Sequence, residues 1–218
     1  MKIKAVFFDM DGTLVNSMND LAAATNYAMG RFGYPAKPTE NYAYYAGNGI
    51  YVMIERALEP NKVDDKTLKD IRDTFFEYYK DHCTVHTTVY KGVAELVGKL
   101  KQNGVKVGCI TNKVEPIAYS IINHFFGGMD VIYGQVDGIP NKPDPTLTVK
   151  AFDDLGIKPQ ECLFVGDTAV DMETAHNSGA IALGVLWGFR TEDELRNAGA
   201  EYIVDKADEI LEIVNSHE

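Results

Sequence analysis

The pattern of hydrophobic and polar positions differs between two parts of the chain. From Val89 onward, short apolar runs such as those in ECLFVGD and AIALGVL alternate with amphipathic segments such as KGVAELVGKLKQNG. Uninterrupted apolar runs predict strands that are buried on both faces, and strands that alternate with helices predict a parallel sheet. The opening run, MKIKAVFFD, has the same character, so we assign its strand to the same sheet. The pattern therefore predicts an α/β fold, a Rossmann-like parallel sheet with helices on both faces.

Residues 15–87 interrupt this alternation with a segment that reads as helical throughout. Its stretches DLAAATNYAMGRFG, IYVMIERAL and DKTLKDIRDTFFEYYKDH carry apolar residues at helical spacing, and a turn, GYPAKP, follows the first of them. We therefore predict two domains. Residues 1–14 and 88–218 form the α/β core, and residues 15–87 form an inserted all-helical domain.

Composition and charge narrow the class of protein. The chain of 218 residues is 45% hydrophobic and 24% charged, which is typical of a globular protein. Its formal net charge of -11 argues against nucleic acid as a partner, because an acidic surface repels phosphate backbones. No apolar stretch is long enough to span a bilayer, so we expect no membrane partner either.

The cysteines and the N-terminus indicate where the protein resides. The three cysteines, Cys83, Cys109 and Cys162, are far apart and form no CxxC pair, which argues against a disulfide framework and a zinc site. The N-terminal apolar run is short and lacks the cleavage site of a signal peptide. These features predict reduced thiols and a cytoplasmic location.

Polar side chains follow the ends of several predicted strands. DMDGT follows the first strand, TNK the second and GDTAVD the fourth, and the loop IPNKPDP precedes a helix. Ligands of open parallel sheets bind beyond the carboxyl ends of the strands. We therefore expect one cluster at this edge, formed by Asp9, Asp11, Thr111, Asn112, Lys142, Asp167 and Asp171.

Carboxylates in this position suit the hydrolysis of a phosphate ester. Asp9 can attack phosphorus and form an aspartyl phosphate, provided that a divalent cation offsets the repulsion between two anions. Magnesium suits this task, since it binds one or two carboxylates together with phosphate oxygens. Asp167 is the natural second carboxylate, and Asp171 stands one helical turn further on, behind Asp167 or against a metal-bound water.

The remaining members of the cluster have matching tasks. Asp11 can give a proton to the leaving oxygen and later take one from the attacking water. Thr111 and Asn112 can donate hydrogen bonds to phosphoryl oxygens, and Lys142 can stabilise the negative charge of the transition state.

Each motif also has an ordinary structural interpretation. An acidic pair is commonly solvated, TNK and GDTAVD fit helix caps, and a lysine in a proline-rich loop is usually exposed. Catalysis is favoured because all four motifs fall on one edge of the same predicted sheet.

The four motifs together resemble those of the haloacid dehalogenase-like superfamily. Its phosphatases carry DxDxT, a hydrophobic strand ending in Ser or Thr, a lysine and GDxxxD, which read here as DMDGT, GCITN, NKPDP and GDTAVD. The resemblance implies that Mg²⁺ is bound by the Asp9 carboxylate, the Asp11 main-chain carbonyl and Asp167. It also implies that the helical insertion is a cap that closes over the site.

Within the superfamily, the opening segment and AGNGIYVMIERAL are similar to the phosphoglycolate phosphatase group. A phosphatase acting on 2-phosphoglycolate is thus predicted, with a small phosphorylated metabolite as partner and a monomer or homodimer as assembly. The backbone of Gly47, Asn48 and Gly49 is a candidate for binding a substrate carboxylate, with Arg56 as a nearby cation, although the three also fit a plain helix-connecting turn. Alternatives are a phosphatase for sugar phosphates, nucleotides or pyrophosphate, a phosphomutase and a non-catalytic binding module.

Overall fold

The computed structural model describes residues 2–217, which form two compact units. One unit comprises residues 2–15 and 89–217, and the other comprises residues 16–88. The strands are β1 (Ala5–Phe8), β2 (Val15–Asn16), β3 (Thr88–Val89), β4 (Lys106–Val114), β5 (Val131–Gln135), β6 (Cys162–Gly166), β7 (Ile181–Val185) and β8 (Tyr202–Val204). The longer helices are α1 (Met18–Arg31), α2 (Tyr42–Tyr45), α3 (Ile50–Leu58), α4 (Asp65–His82), α5 (Val93–Gln102), α6 (Glu115–Phe126), α7 (Thr146–Leu155), α8 (Ala169–Ser178), α9 (Glu192–Asn197) and α10 (Ala207–Ser216).

The larger unit is built on a parallel sheet of six strands in the order β5-β4-β1-β6-β7-β8. β1 lies inside the sheet, paired with β4 on one side and β6 on the other, and its four residues are fully buried. Both faces of such a strand are covered by helices, which explains its continuous apolar sequence. The predicted parallel α/β sheet is confirmed.

The hydrophobic core on one face of this sheet fixes helices α7 and α8 beside the strands that carry the polar motifs. Phe7 of β1 stacks on Phe152 of α7, with ring centroids 5.6 Å apart. Met172 and Ala175 of α8 are buried in the same core cluster as Phe164 of β6. This packing anchors the loops that follow β1 and β6.

Strand β4 extends further than the sequence pattern predicts. The pattern ends this strand at Thr111, whereas the structure continues it to Val114 through an irregular pairing with β5. Ile110 pairs with Tyr133 and Val114 pairs with Gln135, so three residues of β4 stand opposite the single residue Gly134. This bulge places the TNK motif inside the strand rather than after it.

The smaller unit contains α1 to α4, with short strands β2 and β3 pairing where the chain enters and leaves it. The GYPAKP turn is followed by a 3-10 turn (Thr39–Asn41) and α2, which the sequence pattern does not predict. The buried carboxylate of Asp20 on α1 accepts hydrogen bonds from the His86 and Thr87 amides and the Thr87 hydroxyl, at 2.7–3.0 Å. α1 is thereby tied to the segment that leaves the unit.

No helix within residues 2–217 is long and apolar enough to cross a membrane. Cys83, Cys109 and Cys162 are buried, and they form no disulfide among the residues that the structure describes.

Candidate active site

The sheet brings the predicted polar residues to one edge of the larger unit. Asp9 directly follows β1, where its amide donates to Val165 O at 2.9 Å, and Asp167 directly follows β6. Both carboxylates are buried, as are Thr111, Asn112, Lys142 and Asp171. Two neighbouring strand ends thus supply the first two acids, as the parallel topology predicts.

Three of these carboxylates form a compact cluster. Asp9, Asp167 and Asp171 each offer an oxygen, and these oxygens all lie within 4.8 Å of one another. Burial raises the pKa of Asp9 to about 6, against the opposing influence of Lys142. Burial and the charges of Asp171 and Asp9 also raise the pKa of Asp167 well above its ordinary value. The cluster therefore accumulates more negative charge than its surroundings balance.

Lys142 provides one positive charge to this cluster. Its ammonium lies 2.9 Å from Asp9 Oδ1 and 2.7 Å from Asp171 Oδ1. Burial lowers the pKa of Lys142, but the carboxylates of Asp171 and Asp9 outweigh burial and raise it above its ordinary value. One ammonium between three carboxylates leaves an excess of two negative charges when all are ionised. Protonation of a carboxylate or a bound cation would relieve this excess, and a set of carboxylate oxygens is of the kind that Mg²⁺ binds.

The surroundings of Asp167 hold its carboxylate in one orientation. The Thr13 hydroxyl donates to Oδ1 at 3.1 Å, and the Phe189 amide donates to Oδ2 at 2.8 Å. Gly12, with φ of +91°, approaches so closely that a Cβ there would lie 2.3 Å from Oδ2. The glycine and threonine of DMDGT are thus needed to seat the second carboxylate.

Trp187 also contacts the loop that contains Thr13. Its indole N–H donates to Thr13 O at 3.0 Å. From the sequence, Trp187 in LWGFR is compatible with packing and with a loop near the site, and nothing singles out Phe189. Both lie after β7 and come to the site only through the tertiary fold. Thr13 could have been found, since it belongs to the first motif.

Asp171 lies beside Asp9 as well as Asp167. Its Oδ2 accepts from the Thr168 amide at 3.0 Å and from the Thr168 hydroxyl at 2.8 Å, which fixes the start of α8. The residue therefore caps its helix and joins the carboxylate cluster at the same time. Its predicted task next to the metal remains a prediction.

Asn112 uses its side chain to position Lys142. Its Nδ2 donates to Lys142 O at 3.1 Å, and its Oδ1 accepts from the Lys142 amide at 2.7 Å. The Asn112 side chain thus bonds both the carbonyl and the amide of the Lys142 main chain. The direct contacts of Asn112 and Thr111 with phosphate remain predictions.

Asp11 has a partner that the sequence analysis left without a role. Lys113 Nζ lies 2.9 Å from Asp11 Oδ1 and 2.8 Å from Oδ2. The side chain of Lys113 has no exposed surface, whereas that of Asp11 keeps 20%. The two aspartates of DMDGT therefore face different cations, Asp9 facing Lys142 and Asp11 facing Lys113.

The candidate loop Gly47 to Gly49 lies within the smaller unit, where Arg56 fixes it. Arg56 Nη2 donates to Asn48 Oδ1 at 3.0 Å, and Nη1 donates to Tyr45 O at 3.1 Å. Gly49 has φ of +89° and precedes α3. Arg56 thus shapes this loop through hydrogen bonds within its own unit.

The profile of the family described as Haloacid dehalogenase-like hydrolase matches residues 6–185. The chain belongs to this family. The predicted superfamily membership is confirmed.

Several relatives of this haloacid dehalogenase-like hydrolase are phosphatases. The phosphoglycolate phosphatase of Mannheimia succiniciproducens is 31% identical, over 98% of this chain and 99% of its own. The N-acetylmuramic acid 6-phosphate phosphatase of Pseudomonas aeruginosa is 29% identical, over 99% of this chain and 96% of its own. The structure of a predicted phosphoglycolate phosphatase from Haemophilus somnus superposes with a TM-score of 0.91 at 27% identity, and 98% of each chain is covered. This family member is therefore a phosphatase, and its substrate is a small phosphorylated compound.

Proposed function

We propose that this phosphatase is a Mg²⁺-dependent phosphomonoester hydrolase that acts on 2-phosphoglycolate through an aspartyl-phosphate intermediate. The observation that carries the proposal is the buried cluster of Asp9, Asp167 and Asp171. Their carboxylate oxygens lie within 4.8 Å of one another, and Lys142 contacts two of the three carboxylates. Such an excess of buried carboxylates suits a site that receives a metal ion together with a phosphate.

In the first step, Asp9 is the nucleophile. A carboxylate oxygen of Asp9 forms a bond to phosphorus while the bond from phosphorus to the ester oxygen breaks. Asp11, two residues further on, gives its proton to the departing oxygen, so the alcohol leaves neutral. Lys142 stabilises the negative charge that gathers on the phosphoryl oxygens.

In the second step, water hydrolyses the aspartyl phosphate. Asp11, now a carboxylate, takes a proton from the water as its oxygen attacks phosphorus. The bond between phosphorus and the Asp9 oxygen breaks, which releases inorganic phosphate and restores the Asp9 carboxylate. Thr111 and Asn112 are proposed to donate hydrogen bonds to phosphoryl oxygens in both steps.

The residues that would hold Mg²⁺ are the Asp9 carboxylate, the Asp11 main-chain carbonyl and Asp167, with Asp171 next to them. Bound there, the ion supplies positive charge that offsets the repulsion between the Asp9 carboxylate and the phosphate. Thr13 and the Phe189 amide keep Asp167 in place for this contact. This orientation of a ligand by its neighbours is a common feature of metal sites.

The choice of 2-phosphoglycolate rests on the relatives and on the smaller unit. Phosphoglycolate phosphatases occur repeatedly among the relatives, with 30–31% identity over nearly the whole chain. We propose that the smaller unit is a cap and that the backbone of Gly47, Asn48 and Gly49 binds the substrate carboxylate. Exposed amides in a glycine-rich turn are suited to an anion.

Arg56→Gln tests this role of the loop. The change removes the hydrogen bonds to Asn48 Oδ1 and Tyr45 O, so the loop loses its fixed shape. We expect KM for 2-phosphoglycolate to rise about 10-fold with little change in kcat, since lost binding affects the ground state and the transition state alike. Arg31→Gln, an exposed arginine of the same unit, is the control. An unchanged KM would contradict the proposed role of the loop.

A second candidate substrate is a sugar phosphate. The relative that acts on N-acetylmuramic acid 6-phosphate has almost the same identity to this chain as the phosphoglycolate phosphatases. Both substrates are phosphomonoesters that carry a carboxylate, so the same core chemistry serves them. The smaller unit must then distinguish them by size.

A substrate panel with purified protein tests the proposal. Hydrolysis of 2-phosphoglycolate, sugar phosphates, nucleotides and pyrophosphate is measured with Mg²⁺ and with chelator. We expect 2-phosphoglycolate to have the highest kcat/KM and all turnover to require the metal. A higher kcat/KM for a sugar phosphate would overturn the substrate and keep the reaction, whereas metal-independent turnover would overturn the mechanism.

A further inference from the structure

We infer that Lys113 is a positioning residue for Asp11, whose carboxylate it holds in the orientation that proton transfer requires. The inference rests on the proposed function, because it assigns a partner to the proposed acid/base residue. Lys113 itself has no contact with substrate in this role and acts through Asp11.

The contact between the two side chains is of the kind that fixes an orientation. The ammonium of Lys113 bonds both oxygens of Asp11, at 2.9 and 2.8 Å, so rotation of the carboxylate would break at least one bond. Charge-assisted hydrogen bonds of this type are stronger than neutral ones.

Burial decides between a positioning role and a binding role. The side chain of Lys113 is completely buried, while that of Asp11 keeps 20% of its surface. A buried ammonium is costly without a carboxylate partner, so the pair with Asp11 stabilises Lys113 in this position. A substrate at the site edge therefore meets Asp11 and not Lys113.

The bulge in β4 delivers Lys113 to this position. Three residues of β4 stand opposite Gly134, and a Cβ at that glycine would lie 2.5 Å from Lys113 O and 2.5 Å from the Cα of Glu115. Glycine at position 134 is therefore needed for the backbone course that carries Lys113. The extension of β4 to Val114 thus places Lys113 next to Asp11.

The contact between Lys113 and Asp11 also separates the roles of the two aspartates of DMDGT, Asp9 as nucleophile and Asp11 as acid and base. Within residues 2–217, the carboxylates close enough to share a metal ion are those of Asp9, Asp167 and Asp171. The Asp11 carboxylate is instead paired with Lys113. In the protonated form of Asp11, one oxygen keeps its bond to Lys113 and the other carries the proton that goes to the leaving oxygen. A general acid must lie within hydrogen-bond reach of the oxygen that it protonates.

The test compares esters that differ in how much they need a proton donor. We use 2-phosphoglycolate, or the best alkyl phosphate of the panel, and 2,4-dinitrophenyl phosphate, whose leaving group departs without a proton. In Lys113→Met, kcat/KM for the alkyl ester should fall about 100-fold and that for the aryl ester by less than about 10-fold. Asp11→Asn should show the same dependence on the leaving group, and adding Lys113→Met to it should cost less than about threefold more.

A control variant and comparisons with Asp11→Asn make the result decisive. Lys150→Met, which removes an exposed lysine paired with Asp154, should leave both rates unchanged. An equal loss on both esters, or full additivity with Asp11→Asn, would overturn the role of Lys113. If Asp11→Asn itself shows no dependence on the leaving group, the proposed function fails at Asp11; if Asp11→Asn shows it and Lys113→Met does not, only the present inference fails.

Lys113→Arg provides a second test of the inference if Lys113→Met does not fold. Arginine retains the charge but places its donors differently, so the alkyl ester should lose about 10-fold and the aryl ester less than about twofold. Equal losses on the two esters would overturn the inference from this variant alone.

Discussion

Asp9→Asn is expected to abolish hydrolysis, with kcat reduced by about 10⁴-fold or more, because the amide cannot attack phosphorus. The exchange is nearly isosteric and removes one negative charge from a buried cluster of three carboxylates. The protein should therefore fold at least as well as wild type in the absence of metal. Turnover of 2-phosphoglycolate and of an aryl phosphate measures the loss, and thermal unfolding measures the fold.

The aspartyl phosphate itself provides a second readout for Asp9. Wild type quenched in acid during turnover should carry phosphate on Asp9, detectable by mass spectrometry, and Asp9→Asn should carry none. Asp153→Asn, which changes an exposed aspartate of α7, is the matched control. Turnover by Asp9→Asn at a tenth of the wild-type rate would contradict the nucleophilic role.

Asp167→Asn is expected to abolish Mg²⁺-dependent activity and yet raise the melting temperature of the metal-free protein by several degrees. Asp167 is completely buried next to Asp9 and Asp171, whose charges raise its pKa, so its ionised form destabilises the metal-free fold. Asparagine can accept from the Phe189 amide and donate to Thr13, which preserves the local hydrogen bonds. Mg²⁺ should stabilise wild type against heat and leave Asp167→Asn unchanged, since binding to the folded state alone adds stability.

The free energy of unfolding of the metal-free protein should fall as pH rises. Raised pKa values mean that the folded protein binds protons more tightly than the unfolded chain, so the free energy of unfolding falls as pH rises through that interval. For Asp9 the interval runs from the ordinary value of 3.8 to about 6. Metal-free wild type should therefore lose stability across this range, and the advantage of Asp167→Asn should be small near pH 4 and larger near pH 8.

Urea unfolding in chelator, with and without added Mg²⁺, measures both effects. Asp137→Asn, on a loop outside the carboxylate cluster, serves as the charge-matched control. A metal-free Asp167→Asn that is less stable than wild type at pH 8 would show that the three carboxylates do not repel one another in the fold.

The local sequence was sufficient to predict the parallel sheet and the order of the motifs. Strands such as β1 are buried on both faces and therefore stay apolar at every position, a signal that needs no knowledge of the partner strands. The helical repeat likewise predicts α4 with the observed limits, Asp65–His82. Because parallel strands end at a common edge, the placement of Asp9 and Asp167 followed from topology alone.

The tertiary structure decided which groups face each other. The TNK motif predicts a strand end, and only the pairing of β4 with β5 shows the bulge that buries Lys113 against Asp11. Asn112 brackets the main chain of Lys142, a contact across 30 positions of sequence that no local pattern encodes.

The sequence by itself determined the parallel sheet, the longer helices, the fold class and the chemical types of the candidate residues, because periodicity and residue chemistry are local properties. Only the tertiary structure decided the pairing of charges, with Lys142 between Asp9 and Asp171 and Lys113 on Asp11. Such pairing depends on the register of neighbouring strands and on the close approach allowed at Gly134, and both arise only when distant segments pack together.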